Sequence, residues 1–237
     1  MDKSLIILIC VIAAAILFCF LLAIANFSGD RFFEKYQQYD KIGVHADLTV
    51  LEYIDFLNKK YFDNQVQVVK IGNLAGDAYS GGRLYLSENT LTNNSLASFT
   101  IVSHELGHAL QDKEGKKLKV LARMKKFLRF FGIFMLPSIV AGAILLFLGS
   151  EYFVWSMALF GFAAFLFLSA LVLRLITISI EKDASKKAVV FLREVTDEKQ
   201  VKICKKFLND ARLTYWADFL RILLGWTALS KKAKLFN

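Results

Sequence analysis

Three long apolar stretches interrupt an otherwise mixed chain. Leu5 to Ala25 is nearly unbroken, Phe130 to Leu148 is interrupted only by Pro137 and small residues, and Phe153 to Leu173 carries no charge before Arg174. About 20 helical residues cross the hydrocarbon of a bilayer, so each stretch predicts a transmembrane helix. Pro137 does not weaken the second, because membrane helices tolerate proline. Only Gly149, Ser150, Glu151 and Tyr152 separate the second from the third, which predicts a tight helical hairpin.

The polar stretches carry different periods. Leu48, Leu51, Ile54 and Leu57 share a helical face, with Asp47 placed to cap the first turn. Gln65 to Ile71, with Val66, Val68, Val69 and Ile71, predicts a strand. Gly72, Gly76, Gly81 and Gly82 then punctuate a loop before a second short strand at Arg83 to Ser87. Asn94-Ser95 is a cap pair for a helix running from Leu96 to about Asp112, and a last hydrophobic helix covers Leu213 to Ser230. The fold expected is mainly α: an integral membrane protein with three transmembrane helices and a small α+β cytosolic segment.

Composition supports this division. The chain has 237 residues, 56% of them apolar, and a mean hydropathy of +0.44, which excludes a disordered chain and is unusual for a soluble domain. One proline and 22 phenylalanines argue against a loop-rich secreted β-protein. Three cysteines are too few for a disulfide scaffold, and Cys10 and Cys19 lie within an apolar run, so reduced thiols are expected.

Charge supplies orientation. The formal net charge is +9; fifteen Lys and Arg fall between residues 28 and 129, eight of them from Lys113 to Arg129, and thirteen lie from Glu181 onward. The hairpin tip offers only Glu151. Positive charge concentrates on the cytoplasmic side of membrane proteins, so the expected organisation is an N-terminal anchor (1–27), a cytosolic segment (28–129), a transmembrane hairpin (130–180) and a cytosolic helical tail (181–237). The polybasic edges suit an anionic leaflet. Nucleic-acid binding is the competing reading of the charge, but it flanks membrane spans and no recognition motif accompanies it. The first stretch also has a small-x-small triplet, Ala23-Ile24-Ala25, that a cleaved signal peptide would use; its length favours an uncleaved anchor.

The helix from Leu96 contains His104-Glu105-Leu106-Gly107-His108, and this motif takes two of the chain's three histidines. Residues four apart share a helical face, so both imidazoles can reach one ion, with Glu105 beside them to take a proton from its water. A purely structural histidine pair is the alternative. Gly107 argues against it, because a mid-helix glycine costs about 1 kcal/mol and implies a packing or access reason. A catalytic zinc usually takes three protein ligands and keeps a position for water. His45 is too far upstream to be the natural third ligand and suits a solvent-facing or cap-region role. Glu181 is a better candidate. It stands seven residues past Arg174, about 10 Å along a continuous helix, on the same side of the membrane as the histidine helix.

These residues resemble the membrane-bound neutral zinc metallopeptidases (YugP-like). The similarity runs from the first apolar stretch to about residue 225. It is strongest at Leu86-Ser87, at His104 through Gln111, at Glu181-Lys182-Asp183-Ala184-Ser185 and at Leu213-Thr214-Tyr215. More distantly the chain is similar to membrane gluzincins, including the CAAX prenyl proteases and bacterial heat-shock membrane proteases. That resemblance implies a zincin-like cytosolic segment, Zn2+ as cofactor and Glu181, in its Glu-x-x-Ala motif, as third ligand. Lys182 stands where the family usually has an aromatic residue, and Ser185 where the heat-shock relatives have aspartate. Asp183 or Ser185 is therefore expected to orient a histidine through its far nitrogen. Asp218 and Arg221 make the terminal helix too polar for a comfortable span; an interfacial helix, with those two residues paired, is expected. Tyr215 is a candidate oxyanion donor or an interfacial anchor.

The function expected is zinc-dependent peptide-bond hydrolysis in the cell membrane, with Glu105 as general base. The substrate would be an extended peptide or protein, including membrane-associated ones, docked by strand addition near Arg83–Ser87. The lipid bilayer is the other expected partner. The alternative is a membrane scaffold or adaptor with a structural zinc.

Overall fold

The computed structural model describes residues 34–72, 76–115 and 117–223, with side chains of the last helix described as far as Arg212. The expected N-terminal anchor therefore lies outside the described residues. So do the side chains of Tyr215, Asp218 and Arg221 and the helix after Leu223. The described chain falls into two compact units, one built before Gln111 and after Glu181, the other from Gln111 to Glu181.

In the first unit a short helical stretch at residues 34–39 precedes helix α1 (Val50–Phe62). Its cap is Thr49 rather than Asp47: the Thr49 hydroxyl accepts from the Glu52 amide while the Glu52 carboxylate accepts from Thr49, a reciprocal capping box. The start two residues later turns the buried face to Val50, Tyr53, Ile54 and Leu57 and leaves Leu51 half exposed. Strands β1 (Gln67–Ile71), β2 (Ala78–Ser80) and β3 (Arg83–Ser87) follow. They form one sheet ordered β1-β3-β2, with β3 parallel to β1 and antiparallel to β2.

The expected glycine loop thus contains a strand. Gly81 and Gly82 both take positive φ (58° and 82°), closing a two-residue hairpin turn whose twist matches its strands. This corrects the docking site expected at Arg83–Ser87. β3 is central and pairs on both sides, so the edges of this sheet are β1 and β2.

A short helix α2 (Glu88–Thr92) leads to α3 (Leu96–Glu114), the motif helix. Ser95 caps α3, its hydroxyl accepting from the Ser98 amide. Long helix α7 (Glu198–Leu223) runs unbroken across the position where a separate helix from Leu213 was expected. One core binds these elements. Leu57, Leu84, Phe99, Val102 and Leu106 pack with Ala188, Phe191, Leu192, Val201 and Cys204. Two segments separated by about seventy residues therefore bury their apolar faces together.

The second unit holds amphipathic α4 (Lys117–Gly132), α5 (Met135–Leu148), a 3-10 turn at Ser150–Tyr152, and the first part of α6 (Phe153–Leu192). Pro137 sits in the first turn of α5, where a missing amide hydrogen breaks no intrahelical bond. Within the hairpin Ser156 donates to the Gly142 carbonyl at 2.7 Å. A Cβ on Gly142 would lie 3.1 Å from the Phe160 ring, so small residues set this helix contact. Two helical stretches, Leu118–Leu148 and Ser150–Leu192, are long and apolar enough to cross a membrane, and only 11% of the most apolar window of each is buried. That exposure separates them from core helices of a soluble protein. Among the described residues two candidate spans are thus present where the sequence predicts three in the whole chain.

Candidate metal centre

His104 and His108 stand one turn apart on α3, with ring centroids 4.8 Å apart and ring planes nearly perpendicular. His104 and Glu105 are buried, each 4% exposed. α3 is held from below: Ser103 is hydrogen-bonded to the buried Tyr53 hydroxyl at 2.7 Å, and Phe99 stacks on the Tyr53 ring. The motif side chains are thereby fixed by packing on the opposite face of their own helix.

α6 continues without a break past Arg174 to Leu192, so Glu181 lies inside a 40-residue helix. Ligand atoms of His104, His108 and Glu181 all fall within 4.8 Å of one another. Two imidazoles and a carboxylate at this spacing suit a zinc ion and leave coordination positions for water or substrate. One turn beyond Glu181, the Ser185 hydroxyl lies 3.4 Å from His104 Nδ1, a loose contact of the kind that orients a metal-binding imidazole. Asp183 bonds Lys187 at 2.9 Å along the helix. His45 places Nδ1 3.1 Å from Asp197, the residue whose carboxylate accepts from the Gln200 amide at the start of α7. Its side chain is solvent-facing, and the cap it meets is that of α7, not of the helix it precedes.

The mid-helix glycine has a packing reason. A Cβ on Gly107 would lie 2.5 Å from the Ala184 carbonyl oxygen, so α3 and α6 meet backbone to backbone beside the histidines.

Two features escape a reading of the sequence. The Tyr79 amide in β2 donates to Glu105 Oε2 at 2.8 Å, fixing one oxygen of that carboxylate. In a two-residue hairpin Ser80 and Arg83 form the hydrogen-bonded pair, so the main chain of Tyr79, opposite Leu84, faces away from β3. The second feature is Asp77. Its buried carboxylate accepts from the Ser87 amide at 2.5 Å and the Thr90 hydroxyl at 2.8 Å, pinning the start of β2. Burial raises its carboxyl above the ordinary aspartate range, against the lowering effect of those hydrogen bonds. The Gly-Gly turn between alternating residues was the signal available for β2.

The sequence profile of a family described as "Putative neutral zinc metallopeptidase" matches residues 9–230, nearly the whole chain. The protein belongs to this family. It is also 29% identical over 201 residues to a protein of Bacillus subtilis (strain 168) named "Putative membrane protease YugP", a match that covers 83% of this chain and 84% of that one. No solved structure matches. The family description is of a zinc peptidase, and the grouping of His104, His108 and Glu181 is the donor set that such chemistry needs.

Proposed function

We propose that this zinc metallopeptidase family member is a membrane-embedded enzyme that hydrolyses peptide bonds, with His104, His108 and Glu181 as zinc ligands and Glu105 as general base. The observation that carries the reading is the convergence of those three ligand atoms next to a carboxylate already held by a main-chain donor. When bound, zinc supplies a Lewis acid that polarises a carbonyl and brings the pKa of its water toward 7.

The chain's own residues do the rest. The Tyr79 amide holds the Glu105 carboxylate, which takes a proton from the attacking water and delivers it to the leaving amine. Ser185 steadies the His104 ring. An extended peptide pairs with the outward carbonyl of Tyr79, whose amide is given to Glu105, which aligns a scissile bond beside Glu105 whatever the substrate's side chains. The Gln111–Glu181 helices cross the bilayer, and the basic segments on either side keep the site at the cytoplasmic face.

The test is cleavage of casein or a peptide library by the detergent-purified protein, before and after chelation and after zinc is restored. Activity lost on chelation and recovered with zinc supports the enzyme. A zinc-replete protein that cleaves nothing supports the scaffold.

A further inference from the structure

The motif helix carries one more polar residue on its metal-facing side. His104, His108 and Gln111 follow the i, i+4, i+7 spacing of a single helical face. Gln111 is 9% exposed, and its side-chain amide donates to the Ile180 carbonyl of α6 at 2.8 Å. Ile180 immediately precedes Glu181. On the other side of Glu181, three residues further along α6, the Ala184 backbone meets Gly107 closely enough to exclude a Cβ.

We propose that Gln111 is a positioning residue for the metal site: with Gly107 it clamps α6 at Ile180 and Ala184, and so fixes the height of Glu181 relative to the two histidines. The inference rests on the zinc-site reading above and adds a residue to it. The physical reason is geometric. Before Glu181 the helix of the third ligand is mainly apolar (Leu175, Ile176, Ile178, Ile180), and apolar contacts are non-directional; after it, the Ser185 contact to His104 is a loose 3.4 Å. A slide of α6 along its axis by one residue moves Glu181 about 1.5 Å, which exceeds the tolerance of a zinc–oxygen bond of about 2.0–2.2 Å. The Gly107–Ala184 contact sets the distance between the helices but resists sliding poorly, because it is made to the Ala184 backbone with no side chain interlocking across it. A directional hydrogen bond to one particular carbonyl supplies that register. Gln111 thus acts on zinc through Glu181, without touching the ion.

The experiment is a double-mutant cycle read as zinc affinity, by competition with a chromophoric chelator in detergent, on wild type, Gln111→Met, Glu181→Ala and the double variant. Gln111→Asn, which keeps the amide but falls one methylene short of the carbonyl, is measured alongside. Outer-shell partners of metal ligands typically contribute 10- to 100-fold in affinity, so Gln111→Met and Gln111→Asn should each weaken zinc binding about 10-fold or more. Their melting curves without metal should match wild type. In the Glu181→Ala background the Gln111→Met substitution should have no further effect, which a general structural role would not produce. Wild-type affinity in both Gln111 variants overturns the proposal, as does an equal loss with and without Glu181. Failure of both variants to fold overturns it as well, since the amide would then serve the fold. A wild type that binds no zinc is a different result: it removes the metal-site reading itself.

Discussion

Gly107 and Ala184 touch through their backbones: a Cβ added to Gly107 would lie 2.5 Å from the Ala184 oxygen and 3.2 Å from its Cα. On helix propensity alone, Gly107→Ala should stabilise an interior helical position by about 0.5–1 kcal/mol. The contact reverses that sign, because backbone on the far side cannot rotate away. Overpacking of this kind costs about 1–3 kcal/mol, so Gly107→Ala should lower the melting temperature and weaken zinc retention. A variant that melts higher than wild type with its zinc intact would refute the contact.

The Tyr79 amide is the donor to Glu105, and it faces away from the hairpin partner, so removing it should leave the sheet intact. Tyr79→Pro deletes the N–H, whereas Tyr79→Ala keeps it; both lose the ring and the hydroxyl that accepts from the Gly82 amide, so their comparison isolates the N–H. Proline is tolerated at an edge strand whose amide makes no ladder bond. A hydrogen bond to a charged group contributes about 1.5–3 kcal/mol. Tyr79→Pro should therefore be about 10- to 100-fold slower than Tyr79→Ala at saturating peptide, with zinc content unchanged in both. Equal rates would show that the amide does not hold the base in place.

Asp77 makes a pH prediction. Its folded carboxyl is raised above its unfolded value by burial, so the folded protein binds that proton more tightly than the unfolded chain. The stability contributed is fully present below the unfolded value and is lost as pH rises through the raised folded one. Asp77→Asn mimics the neutral form at every pH. Relative to wild type, the asparagine variant should gain stability as the pH is raised from the acid range to neutrality, whatever its offset at low pH. Chemical denaturation at several pH values reads this directly. A stability difference that stays flat, or moves the other way, contradicts the raised carboxyl.

How much of the site was legible in the sequence depended on distance along the chain. His104, Glu105 and His108 were readable because the helical repeat places i and i+4 together without knowledge of the fold. Glu181 was readable because a hairpin returns the chain to the side it left, and α6 does run unbroken through that position. The α1 helix starts two residues later than its apolar pattern predicts because a capping box at Thr49 and Glu52 outcompetes the simpler Asp47 cap. β2 was hidden because three residues carry almost no periodicity. Tyr79's contribution was hidden for a deeper reason: a main-chain amide is common to every residue but proline, so no side-chain pattern announces it. Gln111 stood in plain view on the metal face, but its acceptor is a backbone carbonyl of a helix some seventy residues away.

The central claim is that His104, His108 and Glu181 hold one ion while Glu105 does chemistry. It is tested most directly by the zinc content and peptidase activity of purified wild type, Glu105→Gln and Glu181→Ala, measured on the same preparations. Wild type and Glu105→Gln should both carry stoichiometric zinc, with Glu105→Gln inactive, and Glu181→Ala should lose the metal and the activity together. Full zinc in Glu181→Ala, or undiminished cleavage by Glu105→Gln, would contradict the account.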